Sequence, residues 1–178
     1  MQDETPFIEL RICLEQPPSL FDLVGAFTAV GNQFDEFIRR EHPNLQGAAQ
    51  LFVKEIRQGS TIIELVPHLA PLIANMDAIL VVDGFVRRYG GAIKSYIAGD
   101  RLPDASRAEI KDFLGAVTVI ANDPDGKAII SSAVYHQTKA TKRVEIQFTT
   151  REAREAKAVI ERQKADLELK AYEVKENV

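Results

Sequence analysis

The chain has 178 residues, 46% hydrophobic and 27% charged, with a formal charge of −4, which suits a globular fold with a real core. A negative balance gives no general attraction to nucleic acid or to anionic membranes. A single cysteine, Cys13, excludes an internal disulfide framework and fits a reducing compartment. The acidic start, MQDETPFIEL, has no apolar signal-peptide core. The most membrane-like stretch, Val66 to Val86, is broken by Pro67, His68, Pro71, Asn75, Asp77 and Asp83, groups that are costly in lipid. The expectation is a cytoplasmic protein without a membrane span.

Residues 7 to 14 alternate strictly, with Ile8, Leu10, Ile12 and Leu14 on one face and Phe7, Glu9, Arg11 and Cys13 on the other. That period of two predicts a strand. Pro17-Pro18 ends it, and Ser19 with Asp22 forms an N-cap. The helix that follows places Leu20, Leu23, Val24, Phe27, Val30, Phe34, Phe37 and Ile38 on one stripe. Arg39 and Arg40 complement the dipole in its last turn, and Pro43 stops it.

The segment LFVKEIRQGSTIIELVP, from Leu51 to Pro67, predicts a hairpin that turns at Arg57-Gln58-Gly59. Leu51, Val53, Ile63 and Leu65 share one face, and Phe52, Ile56, Ile62 and Val66 share the other. A sheet with one side in water alternates apolar and polar residues, so a ribbon apolar on both sides needs a cover on each. Pro67 and Pro71 then make a corner. The most apolar helix follows, carrying Leu72, Ile73, Met76, Ile79, Leu80, Val82, Phe85, Val86, Ile93 and Ile97. Gly90-Gly91 suggests a kink or a break. Ser106 with Glu109 starts the next helix, whose stripe is Ile110, Phe113, Leu114, Val117 and Ile120. Asn122 to Gly126 is a turn. Strands are expected around Ala128 to His136 and Arg143 to Phe148. Thr149 with Glu152 caps a final helix that has only a thin apolar stripe of Ala153, Ala156, Ile160, Leu167 and Val174.

The order is β-α-β-β-α-α-β-β-α. It predicts an α+β fold, with a mainly antiparallel sheet of about five strands and three to four helices packed on it. Residues 1–150 read as one domain, and 151–178 as a charged helical extension or docking element. No repeat of fixed period is present, although a hairpin running into a helix occurs twice.

Candidate chemistry is sparse. His42, His68 and His136 lack the spacing of a zinc helix or knuckle. Asp123 and Asp125 resemble the start of a calcium loop, but Gly126 is misplaced and Val134 stands where the closing glutamate belongs. No serine sits in a nucleophile elbow, and Cys13 alternates within a strand as a packing residue. Asp77 and Asp83 point to different helix faces, and Asp83 is expected to pair with Arg87 at i,i+4. No metal site or cofactor is expected.

The reading that follows is a non-enzymatic protein-interaction or homo-oligomerisation module, burying Phe52, Ile56, Ile62 and Val66 against a protein partner or a second copy. The alternative is a nucleic-acid or nucleotide-binding accessory domain using Arg87, Arg88, Lys139, Lys142 and Arg143. A third is a small enzyme with a pocket beside the long apolar helix, using Asp83 or His68.

Overall fold

The computed structural model describes residues 4–46, 50–57, 61–67 and 75–177, with 54–57 and 75–76 described as backbone alone. Strand β1 (Thr5–Cys13) leads to helix α1 (Leu20–Glu41) and a short 3-10 turn at Pro43–Leu45. The hairpin β2 (Leu51–Arg57) and β3 (Thr61–Pro67) precedes α2 (Asn75–Ile97) and α3 (Arg107–Ala121). A second hairpin, β4 (Lys127–His136) and β5 (Lys139–Thr149), runs straight into α4 (Thr150–Glu176). The five strands form one antiparallel sheet in the order β2-β3-β1-β4-β5. This is the α+β architecture expected from the patterning. The expected turn at Gln58-Gly59 and the residues His68, Pro71, Leu72 and Ile73 lie outside the described residues.

Helix starts follow local capping chemistry. Ser19 accepts the Asp22 N–H, Ser106 accepts the Glu109 N–H, and Thr149 closes a full capping box with Glu152, each satisfying donors that the first helical turn leaves unpaired. At the turn before β4, the Asp123 carboxylate accepts the N–H groups of Glu15, Gln16 and Asp125. Burial acts to raise its pKa, but these three donors outweigh that and hold it below the ordinary carboxylate value.

One face of the sheet, with Ile8, Leu10 and Ile12 of β1, Ile63 and Leu65 of β3 and Ala128 and Ile130 of β4, packs into a single core with residues of all four helices. Helix α2 runs over β1, β4 and β5, and α3 lies between α1 and α4. The opposite, rear face is not simply greasy. Phe7 is stacked on Tyr135 with ring centroids 4.5 Å apart. Glu9 and Glu64 stand opposite each other in register, and Tyr135 donates to Glu64 at 2.7 Å.

Several local expectations are corrected. Val53, expected in the core, is 59% exposed on the edge strand. A bulge between Val53 and Glu55 shifts the register, so that the backbone of Ile56 pairs with Ile63 and that of Arg57 with Ile62. Leu20 and Val24, expected on the core stripe of α1, are exposed; the fully buried residues of that helix start at Ala26.

Helix α2 runs unbroken through its glycine pair. A Cβ on Gly90 would come within 2.1 Å of Ile146 Cδ1 on β5, whereas a Cβ on Gly91 would meet nothing within 4 Å. Gly90 therefore lets the helix sit down on the sheet, and Gly91 carries only the helical cost of a glycine. Gly90→Ala is expected to destabilise the fold by about 1–3 kcal/mol through overpacking. Gly91→Ala is expected to stabilise it by about 0.5–1 kcal/mol. Urea denaturation of the two variants checks both signs.

Candidate functional site

Three helices converge on a cavity of about 230 Å³ beside α2. Helix α2 contributes Phe85, Arg88, Tyr89 and Ala92, whose i, i+3, i+4, i+7 spacing puts them on one face. From the second half of α1 come Gln33, Glu36, Phe37 and Arg40, and from α3 come Glu109 and Phe113, one helical turn apart. Leu102 and Pro103, in the connection between α2 and α3, close another side.

The floor is aromatic. Phe37 and Phe85 have ring centroids 5.8 Å apart, Phe85 and Tyr89 5.6 Å, and Tyr89 and Phe113 5.8 Å. The polar wall is a charged bridge. Arg40 Nε lies 2.6 Å from Glu36, and the same guanidinium reaches Glu109 of α3. This explains why Glu109 does not close a full capping box with Ser106: its carboxylate is turned to Arg40. Arg88 reaches back to Glu41 at 2.6 Å, and both of those side chains are substantially exposed. A hydrogen bond from Arg39, opposed by burial and helped by the charge of Arg40, holds the Glu36 carboxyl below its ordinary pKa. Burial drives the Tyr89 phenol well above its ordinary value, with Asp112 adding to the rise. At neutral pH the site therefore offers the ionised Glu36 carboxylate and a protonated Tyr89 phenol beside two guanidiniums.

The residues singled out from sequence are scattered. Arg88 is the one that reaches this cavity. Arg87 and Lys139 are exposed elsewhere on α2 and β5. Lys142 lies at the rear of the sheet, 3.2 Å from Glu145 and 3.7 Å from Glu9. Arg143, the extra residue of a bulge in β5, turns to the helix side and bonds Asp83 at 2.9 Å. The expected Asp83–Arg87 pair is thus replaced by Asp83–Arg143, and Ser132 donates to the other oxygen of Asp83 at 2.7 Å. Asp83 is committed to this buried structural contact. On the first hairpin, Phe52 is 47% exposed and Ile62 and Val66 are half-buried. The side chain of Ile56 and all of His68 fall outside what is described. His136 lies 3.1 Å from Glu4, and no group of three or more His, Cys, Asp or Glu side chains among the described residues could hold a metal ion. No helix among those residues is long and apolar enough to cross a membrane.

Sequence reasoning named Phe37, Phe85 and Phe113 only as core residues, and Arg40 only as a dipole partner. The signal it passed over was mixed polarity on one helical face, with Arg88 beside Phe85 and Tyr89, and Glu109 one turn before Phe113.

No protein-family model and no solved structure matches the chain. Among curated proteins it is similar to a pyridoxine 5'-phosphate synthase of Xanthomonas oryzae pv. oryzae (strain MAFF 311018), at 31% identity over 128 residues. The match covers 70% of this chain and 46% of that protein, so the chain spans less than half the length of the relative it matches. Similarity to an enzyme over most of the chain overturns the reading of a non-enzymatic interaction module acting through Phe52, Ile56, Ile62 and Val66.

The bond between Arg143 and Asp83 gives that arginine a structural role. Arg143→Ala is expected to lower stability by about 1.5–3 kcal/mol, the usual worth of a hydrogen bond to a charged group. Arg87→Ala and Lys139→Ala should stay within about 0.5 kcal/mol of the parent, as surface substitutions do. Guanidinium denaturation of the three variants makes the comparison.

Proposed function

We propose that this chain is part of an enzyme that handles a small phosphorylated ring compound, bound in the cavity between α1, α2 and α3. The observation that carries this reading is the pairing of two guanidiniums, Arg40 and Arg88, with an aromatic floor of Phe37, Phe85, Tyr89 and Phe113. Guanidinium forks suit phosphate oxygens, and aromatic faces suit a flat ring. The similarity to a pyridoxine 5'-phosphate synthase supports the same class of compound, since that product is a phosphorylated ring.

In this reading Arg88 takes the phosphate. Its tie to Glu41 is exposed and costs little to exchange. Arg40 is clamped by Glu36 and Glu109 and acts as a fixed charge at the other side of the mouth. Of the two carboxylates, Glu36 is held ionised by Arg39 and Arg40, which makes it a fixed negative charge that orients Arg40 rather than a strong base. Binding energy from the phosphate would hold the ring against the floor. A cytoplasmic location, with Cys13 reduced, belongs to the same proposal.

The test is isothermal titration calorimetry with pyridoxine 5'-phosphate. The parent protein is expected to bind it, with an affinity that falls as salt is raised. Arg88→Ala is expected to weaken binding by about 10- to 100-fold, the equivalent of losing a charged hydrogen bond, without changing the melting temperature. A parent protein that takes up no ligand at millimolar concentration, or an Arg88→Ala protein that binds equally well, would overturn the reading.

A further inference from the structure

The connection between α2 and α3, residues 98–106, has no regular structure, yet it forms one wall of the cavity through Leu102 and Pro103. Two residues in the left-handed region bend its path, Gly99 at φ 92° and Asp104 at φ 58°, a conformation open to glycine and tolerated by aspartate. Between them, Pro103 fixes its own φ and restricts Leu102 before it. The Leu102 carbonyl is therefore aimed by the chain itself.

This wall is thin. On its far side Leu102 and Pro103 border a second hollow of about 330 Å³, with Ile110 and Leu167 on its other sides, so apolar packing behind the wall is incomplete. What reaches the wall from α4 is Gln163. Its side-chain amide donates to the Leu102 carbonyl at 2.8 Å, and its side-chain oxygen accepts from the Tyr96 hydroxyl at 2.6 Å. Tyr96 is fully buried in α2, with its ring centroid 5.9 Å from that of Phe113 on the cavity floor. Both ends of one amide are thus used, one on the wall and one on the core beneath it. A second tie, from Arg101 to Asp166, joins the same connection to α4. Its side chains are about half exposed, and such pairs hold little.

We infer that Gln163 is a positioning residue for the cavity: through the Leu102 carbonyl it sets the wall of Leu102 and Pro103 at the spacing from the aromatic floor that a flat ring fills. The inference rests on the binding reading given above. It makes α4, of which no described residue lines the cavity, a working part of the binding site. Without the hydrogen bond the wall can withdraw into the hollow behind it, and the apparent affinity falls with the fraction of molecules that keep it in place.

The experiment titrates pyridoxine 5'-phosphate into the parent, Gln163→Ala, Gln163→Glu and Asp166→Ala by calorimetry, well below the melting temperature of each. Gln163→Glu keeps the acceptor for Tyr96 and removes the donor to Leu102, so it isolates the bond to the wall and supplies a folded variant if Gln163→Ala is lost. Both Gln163 variants are expected to bind about 3- to 10-fold more weakly, the worth of one neutral hydrogen bond, and Asp166→Ala within about twofold of the parent. Hydrogen exchange at the Gly99 and Asp100 amides, which are bonded to Tyr96 and Ser95, is expected to quicken in the Gln163 variants alone. A merely structural glutamine would lower the melting temperature and leave the affinity unchanged. If the parent binds and Gln163→Glu binds equally well, the positioning role is wrong and the cavity assignment survives. If the parent takes up no ligand, the cavity assignment falls and the positioning role falls with it.

Discussion

The structure depends on an aromatic seam that α2 carries between its neighbours. Phe85 meets Phe34 and Phe37 of α1, and both Tyr89 and Tyr96 meet Phe113 of α3. Large flat rings at these contacts hold the helices at a distance that smaller aliphatic residues would not, and the packing leaves a cavity where the seam reaches the surface. The charged bridge from Glu36 through Arg40 to Glu109 ties α1 to α3 across that opening. Core and site are therefore made by the same residues, and a change in one is felt by the other.

Beneath the seam, α2 lies close to the sheet. The absent side chain at Gly90 admits Ile146, and the buried Asp83, bonded to the buried Ser132 and to the more exposed Arg143, fastens the helix to β4 and β5 by charge-assisted bonds. A buried carboxylate is tolerable only with such partners. Asp83 thus serves position, and the chemistry of the site is left to groups nearer solvent.

The element order was legible in the sequence because its signals are local: period-two alternation over 7–14 and 143–148, Ser19, Ser106 and Thr149 at helix starts, and the turn residues 122–126. Failures occurred where a distant neighbour decides the outcome. Leu20 and Val24 continue the stripe of α1, yet both stay exposed while Leu23 between them packs against the core. Bulges shift the register in β2 and re-aim Arg143 in β5, and no composition rule marks them. Gly90 reads as a helix weakness until Ile146 is seen against it. The candidate site was illegible for the same reason, since Glu36, Arg40, Arg88, Tyr89 and Glu109 come from three helices and are united only by packing.

The central claim is that ligand chemistry belongs to the cavity among α1, α2 and α3, and not to the rear of the sheet. Aromatic carbon–proton NMR spectra recorded during titration with pyridoxine 5'-phosphate locate the ligand directly. The account predicts saturable shifts in the ring signals of Phe37, Phe85, Tyr89 and Phe113, with Phe7 and Tyr135 at the rear unmoved. Shifts confined to Phe7 and Tyr135, or a spectrum unchanged at saturating ligand, would contradict it.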